Sequence, residues 1–184
     1  MPDQALWESF FEVPAILDAF GARAVEGDAV EFGCGYGTFT IPLAQRTSGA
    51  VFALDVEPGM VLATASRARR AALDNVRVER RDFISDGTGL PASSVAFAML
   101  FNILHMEAPV ALLAEARRVL KPDGTLAVMH WHRDSRTPRG PPLEMRPWPH
   151  EVESWAAAAG LVSRLVRALP GAPWHWGLLL TIPV

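Results

Sequence analysis

Gly33, Gly35 and Gly37 stand at alternate positions, directly after the apolar run Ala29–Phe32 and directly before a segment of helical period. Glycine reaches positive φ freely and lets a ligand approach the backbone where any Cβ would clash. A helix beginning near Thr38 directs unsatisfied N–H groups at such a ligand. Asp55 closes a second apolar run. An unpaired carboxylate inside a protein is costly, so Asp55 belongs at the C-terminal edge of its strand. There it has two compatible uses: accepting hydrogens from a pair of ligand hydroxyls, or capping the helix that Pro58 opens. His105 follows a fourth apolar run. Its imidazole titrates near neutrality and could serve as a general base, or simply be structural. His130 and His132 are two apart, which on a strand gives one face, as for a metal pair. A zinc or iron site needs more ligands, none stands at suitable spacing, and no metal is expected. Cys34 reads as a small hydrophobe between glycines, with no base at a recognisable position to make it a nucleophile.

Short apolar runs and longer amphipathic segments alternate to position these residues. Ala29–Phe32, Ala50–Leu54, Val76–Val78, Val95–Phe101 and Thr125–His130 read as strands apolar on both faces, hence parallel and covered on both sides by helices. Phe39–Arg46, Pro58–Ala72 and Pro109–Leu120 read as the helices between them, the last ending at Lys121-Pro122-Asp123-Gly124. Glu151–Ala159 reads as a further helix, and Leu161–Leu169 with Trp174–Ile182 as an antiparallel hairpin at the sheet edge. The fold class is α/β: a Rossmann-like, doubly wound, mostly parallel seven-stranded sheet with an antiparallel C-terminal hairpin. One domain over 1–184 is expected, divided into an N-terminal helical cap (1–27), a binding core (28–130), a proline-rich loop (131–149) and a closing helix and hairpin (150–184).

Glycine spacing separates two cofactor classes. A dinucleotide turn needs its third glycine at the sixth position, where this chain has Thr38. That argues against a nicotinamide dehydrogenase. Here the third glycine is at the fifth position, with Glu31 two residues before the turn, which is the pattern of S-adenosylmethionine binders. Glu31-Phe32-Gly33-Cys34-Gly35-Tyr36-Gly37 resembles motif I of the class I S-adenosylmethionine-dependent methyltransferases. The resemblance continues in register through Phe52-Ala53-Leu54-Asp55-Val56, Arg81-Asp82-Phe83, Gly89-Leu90-Pro91 with Ser94–Phe97, and Glu115–Gly124. It spans about residues 28–130 and is nearest to the small-molecule, ubiquinone/menaquinone methyltransferase-like branch.

The resemblance implies S-adenosyl-L-methionine as cofactor and the following roles. Gly33, Gly35 and Gly37 would cradle the cofactor. Asp55, with Val56 beside it, would hold the ribose, and Met60 would pack on the adenine. Asp82 would meet the adenine amino group and the Phe83 N–H a ring nitrogen. Glu31 would orient the methionyl end and Asn102 contact its ammonium. His105 falls next to the reacting sulfonium and is the candidate base. Each has an ordinary structural alternative: core packing for Met60 and Phe83, a turn for Asp82, and a backbone-satisfied buried acid for Glu31. The fold alone also admits a non-catalytic cofactor-binding or partner-binding protein.

Seventeen basic against twenty acidic residues leave a net charge of −3, with Lys121 the only lysine. That balance gives no attraction to nucleic acid or anionic lipid, so a small-molecule acceptor is expected and neither nucleic acid nor membrane is. Its identity, the atom methylated and the oligomeric state are not legible. The N-terminus lacks a basic n-region and a long apolar core, and the single cysteine excludes an internal disulfide, which together suggest a cytoplasmic protein. Trp7, Phe10, Phe11 and Trp131 are expected to form an apolar cover over the reacting edge. Arg133, Arg136 and Arg139 would read an acceptor anion, in segments that order on binding.

Overall fold

The structure, a computed structural model, describes residues 3–134 and 136–183, leaving aside the side chains of 165–168. The first two residues of the expected cap and one residue of the proline-rich connection therefore lie outside the described residues. The elements in order are α1 (Gln4–Glu8), α2 (Val13–Ala19), β1 (Asp28–Phe32), α3 (Thr40–Ala44), β2 (Val51–Asp55), α4 (Pro58–Arg70), β3 (Val76–Arg80), β4 (Val95–Phe101), α5 (Pro109–Val119), β5 (Leu120–Trp131), a 3-10 turn (Leu143–Met145), α6 (Pro149–Ala158), β6 (Val162–Ala168) and β7 (His175–Thr181). They form a seven-stranded sheet in the order β3-β2-β1-β4-β5-β7-β6. β1 to β5 are parallel, while β7 runs antiparallel to both β5 and β6. This is the Rossmann-like, doubly wound arrangement with its closing antiparallel hairpin.

Strand alternation builds two cores. Val30 and Phe32 of β1, Ala98 and Leu100 of β4, and Leu126 and Val128 of β5 face Leu112, Leu113 and Ala116 of α5 and Val152 of α6. Ala29, Met99 and Met129, on the opposite pleat face, pack with Ile16 and Leu17 of α2 and Leu43 of α3. Period-two patterning on strands apolar on both faces requires this division. Among the described residues no helix is long and apolar enough to cross a membrane.

Several element boundaries differ from the sequence expectation, among them the following three. α3 is Thr40–Ala44, shorter than Phe39–Arg46. β3 continues through Glu79 and Arg80 because Leu54 and Asp55 of β2 still pair with them. β5 begins at Leu120, which pairs with Val95, and Thr125 then pairs with Phe97. The Lys121-Pro122-Asp123-Gly124 turn is thus an irregularity within the strand and does not precede it. The connection after β5 is held by Arg146, whose Nε donates to the Pro141 carbonyl at 2.9 Å and Nη1 to the His132 carbonyl at 2.8 Å.

Candidate functional site

In an open α/β sheet, ligands sit beyond the strand C-termini where the order reverses, here between β1 and β4. A cleft of about 260 Å³ lies at that point. β1 brings Glu31 and the glycine turn to it, β2 brings Asp55 and Val56, and β4 brings Phe101 with Asn102 just past its end.

Gly33, Gly35 and Gly37 adopt φ values of 76°, 54° and 73°, a region in which a side chain is strained. The Gly33 and Cys34 N–H groups donate to the Leu54 carbonyl at 2.8 and 2.9 Å. The Gly35 N–H donates to Asp55 Oδ2 at 2.8 Å, and the Thr64 hydroxyl of α4 donates to the Gly35 carbonyl at 2.9 Å. Gly37 does not line the cleft. A Cβ there would come within 2.9 Å of the Thr64 hydroxyl, so this glycine seats the turn on α4.

Asp55 is buried and uses each oxygen once, Oδ2 for Gly35 and Oδ1 for the Glu57 N–H at 3.0 Å. Each carboxylate oxygen retains a further lone-pair site. Glu57 is itself the N-cap of α4, so Asp55 ties the turn to the helix entrance and does not cap the helix directly.

Glu31 lines the cleft at 2% exposure, with the Thr40 hydroxyl donating to it. Burial, with a smaller push from the Asp55 charge, raises its carboxyl to about 8 despite the Thr40 bond, so it holds a proton at neutral pH. Burial, and then Glu31, push the Cys34 thiol up, leaving it unreactive. Asn102 sits at φ 60°, its N–H donating to the Met129 carbonyl at 2.7 Å. Both polar atoms of its side-chain amide are buried without a partner. An orphaned buried amide costs about 1–3 kcal/mol, and at a cleft wall it is what a ligand would satisfy.

Val56, Met60 and Phe83 line the same cleft, as do Trp7, Phe39 and Ile103. The last two carry no sequence signal that separates them from core. Asp82 lies outside the lining. It is exposed and accepts from the Ser85 N–H, the Ser85 hydroxyl and the Ile84 N–H at 3.2, 3.1 and 3.1 Å, which hold its pKa down.

His105 instead lines a second cleft of about 340 Å³, which shares Met106 with the first. Burial lowers its pKa. Its Nδ1 is 3.4 Å from His130 Nε2. His132 follows β5, its N–H donating to the Trp174 carbonyl at 2.9 Å, and its ring stands 3.9 Å from Asp134, whereas the His130 ring meets His105.

Of the four aromatic residues expected as cover, only Trp7 reaches the first cleft; Phe10, Phe11 and Trp131 are buried in the second core. Arg133 pairs with Glu151 at 3.4 Å, while Arg136 and Arg139 are exposed. Arg146 is buried: it is 5% exposed and its charged carbon lies 5.7 Å from the Trp131 ring centre. The second cleft holds Arg133 and Arg146 against Glu107, Glu144 and Glu151, one more acid than base, which does not select an anion.

Residues 29–124 match the methyltransferase domain family. The chain is 35% identical over 158 residues to an uncharacterized 37.1 kDa protein in transposon TN4556 of Streptomyces fradiae, covering 84% of this chain and 44% of that one. It is 30% identical over 123 residues to nocamycin O-methyltransferase of Saccharothrix syringae, covering 66% of this chain and 41% of the relative. It thus spans less than half the length of these two relatives. Among solved structures, the S-adenosylmethionine-dependent methyltransferase of Aquifex aeolicus superposes with a TM-score of 0.83 at 26% identity, over 98% of this chain and 94% of the other.

Proposed function

This chain belongs to the methyltransferase domain family, and on that footing we propose that it transfers the methyl group of S-adenosylmethionine to a small-molecule acceptor. The observation that carries the reading is Asn102, with both polar atoms of its buried amide unpartnered, in the wall of the same cleft as the glycine turn and Asp55. When bound, the cofactor supplies an electrophilic methyl group on a sulfonium sulfur. Asp55 would take the ribose hydroxyls on its remaining lone pairs. Val56, Met60 and Phe83 would pack the adenine, and Glu31 with Asn102 would hold the aminoacyl end. Trp7 and Phe39 exclude water from that cleft, which strengthens each polar contact inside it.

In this reading the protein's work is to position and desolvate the acceptor. The second cleft, next to the first across Met106, is the acceptor site. His105 is the base, held uncharged at neutral pH by burial. A hydroxyl acceptor suits that base, and one relative is named an O-methyltransferase. The excess of acid over base in the second cleft favours a neutral frame over a polyanion.

Calorimetry tests the proposal. Both S-adenosylmethionine and S-adenosylhomocysteine should bind in the micromolar range, and NAD should not. Absence of heat with either sulfur ligand, from protein shown to be folded, would falsify it.

A further inference from the structure

Glu31 shares the pleat face of Ala29, between Ala53 of β2 and Met99 of β4 in the sheet. It lines the first cleft almost fully buried, and its one hydrogen-bond donor among the described residues is the Thr40 hydroxyl of α3. A buried carboxylate keeps its charge where a cation or several N–H groups face it. Among the described residues no lysine, arginine or histidine lines this cleft. The two nearby N–H groups, of Gly35 and Glu57, are taken by Asp55, a second acid in the same wall. The remaining charged groups around the site offer no relief. Glu57 is a third acid, exposed at the cleft. Glu8 of α1 is paired with Arg67, and Asp18 of α2 with Arg46. The Cys34 thiol is neutral, and β4 contributes the uncharged Asn102 amide. A negative charge on Glu31 is therefore uncompensated, and burial keeps its carboxyl protonated at neutral pH.

We infer that cofactor binding expels this proton: Glu31 is a carboxylic acid in the free protein and a carboxylate once the aminoacyl ammonium of S-adenosylmethionine lies against it. This rests on the reading that the first cleft takes the cofactor. The ammonium supplies the cation that the cleft lining lacks, and an opposite charge within ~4–6 Å favours the ionised carboxyl. The step balances simply. The O–H bond of the Glu31 carboxyl breaks, its electron pair stays on the carboxylate, and the proton passes to the buffer. The Thr40 hydroxyl donates to Glu31 Oε2 and can do so in both states. Cofactor affinity then depends on pH with a fixed sign. Well below 8 the protein must lose a proton to bind, so each pH unit downward weakens binding about tenfold. Above 8 Glu31 is already ionised and this dependence flattens.

Calorimetry of the full chain with S-adenosylhomocysteine, which carries the same aminoacyl end, counts the proton. Heats are compared in phosphate, MES and imidazole buffers, whose ionisation enthalpies differ. At about pH 6.5, below the Glu31 carboxyl and the ligand ammonium alike, the slope should give about one proton released per ligand bound. Affinity should rise about tenfold from about pH 6 to about pH 7. Methylthioadenosine, which keeps the adenosine and lacks the aminoacyl end, should bind with no buffer-dependent heat. Glu31→Gln, whose amide has no such proton to lose, should bind S-adenosylhomocysteine without release. Binding with equal heat in the three buffers overturns the inference and leaves the cofactor reading standing. Release by methylthioadenosine, or by a folded Glu31→Gln, does the same, because the proton then comes from elsewhere. If Glu31→Gln does not fold, the wild-type slope and methylthioadenosine decide. No binding of S-adenosylhomocysteine in any buffer, from protein shown to be folded, overturns the cofactor reading itself, so the two failures are distinguishable.

Discussion

Asp55 accepts the Gly35 N–H on one oxygen and the Glu57 N–H on the other, which joins the glycine turn, β2 and α4 at one side chain. Asp55→Ala should therefore do two things. Affinity for S-adenosylhomocysteine should fall at least roughly tenfold, since a hydrogen bond to a charged group is worth about 1.5–3 kcal/mol. Stability should also drop by about 1–3 kcal/mol, because the Gly35 N–H is left buried and unsatisfied. Calorimetry and urea unfolding separate the two effects. A stability loss with unchanged affinity would reduce Asp55 to a tie between turn and helix. At this scale the glycine turn and Asp55 were legible from residue type and spacing. The destination of the Asp82 carboxylate was not. An aspartate followed by Phe83-Ile84-Ser85 is compatible with a ligand contact or with a turn, and only the backbone path decides that its oxygens meet Ile84 and Ser85.

The five residues of α1 are too few to form a stable helix alone. Asp3 caps α1 through the Leu6 N–H at 3.0 Å, and Glu8 pairs with Arg67 of α4, whose guanidinium also donates to the Tyr36 carbonyl at 3.0 Å. This clasp presents Trp7 to the cleft beside the glycine turn. Glu8→Ala should free α1. Amide exchange over residues 4–8 should quicken, and affinity for S-adenosylhomocysteine should weaken several-fold. A partly exposed ion pair contributes little to global stability, so the melting temperature should move by less than roughly 4 °C. Unchanged exchange in the variant would mean that aromatic packing alone holds α1. The sequence showed the apolar character of this segment. It could not show that Phe10 and Phe11 go into the core while Trp7 turns to the cleft, because that depends on where α1 meets α4.

Buried titratable groups of opposite kind shape the pH response of the whole molecule. Glu31 ionises at about 8 in the folded chain and near 4.5 when unfolded, so its contribution to stability is full below 4.5 and is lost as pH rises to 8. His130 and His175 are held to about 3 when folded against 6.5 unfolded, so their contribution is full above 6.5 and is lost as pH falls toward 3. Below 6.5 the two histidines outweigh the one glutamate; above it Glu31 acts alone. Stability should therefore peak near pH 6.5 and decline toward 8, each pH unit of separated titration being worth about 1.4 kcal/mol. Urea unfolding across pH measures the curve. Glu31→Gln should abolish the decline on the alkaline side, and a flat wild-type curve from 6.5 to 8 would contradict the burial of an uncharged Glu31.

Sequence alone determined the alternation of strands and helices, and with it the parallel sheet, the closing hairpin and the position of the glycine turn. These follow from local patterning: apolar period, glycine at positive φ, and proline at helix starts. The meeting of His105 with His130, 25 residues apart in the chain, was decided by tertiary structure. So were the Thr40 hydroxyl on Glu31, the Thr64 hydroxyl on Gly35, and the capture of the connection after β5 by Arg146. Each such contact depends on strand order and register, which bring distant residues to one sheet edge, and on burial, which sets the charge they carry there. Neither strand order nor cross-strand register leaves a periodic trace in the residues themselves.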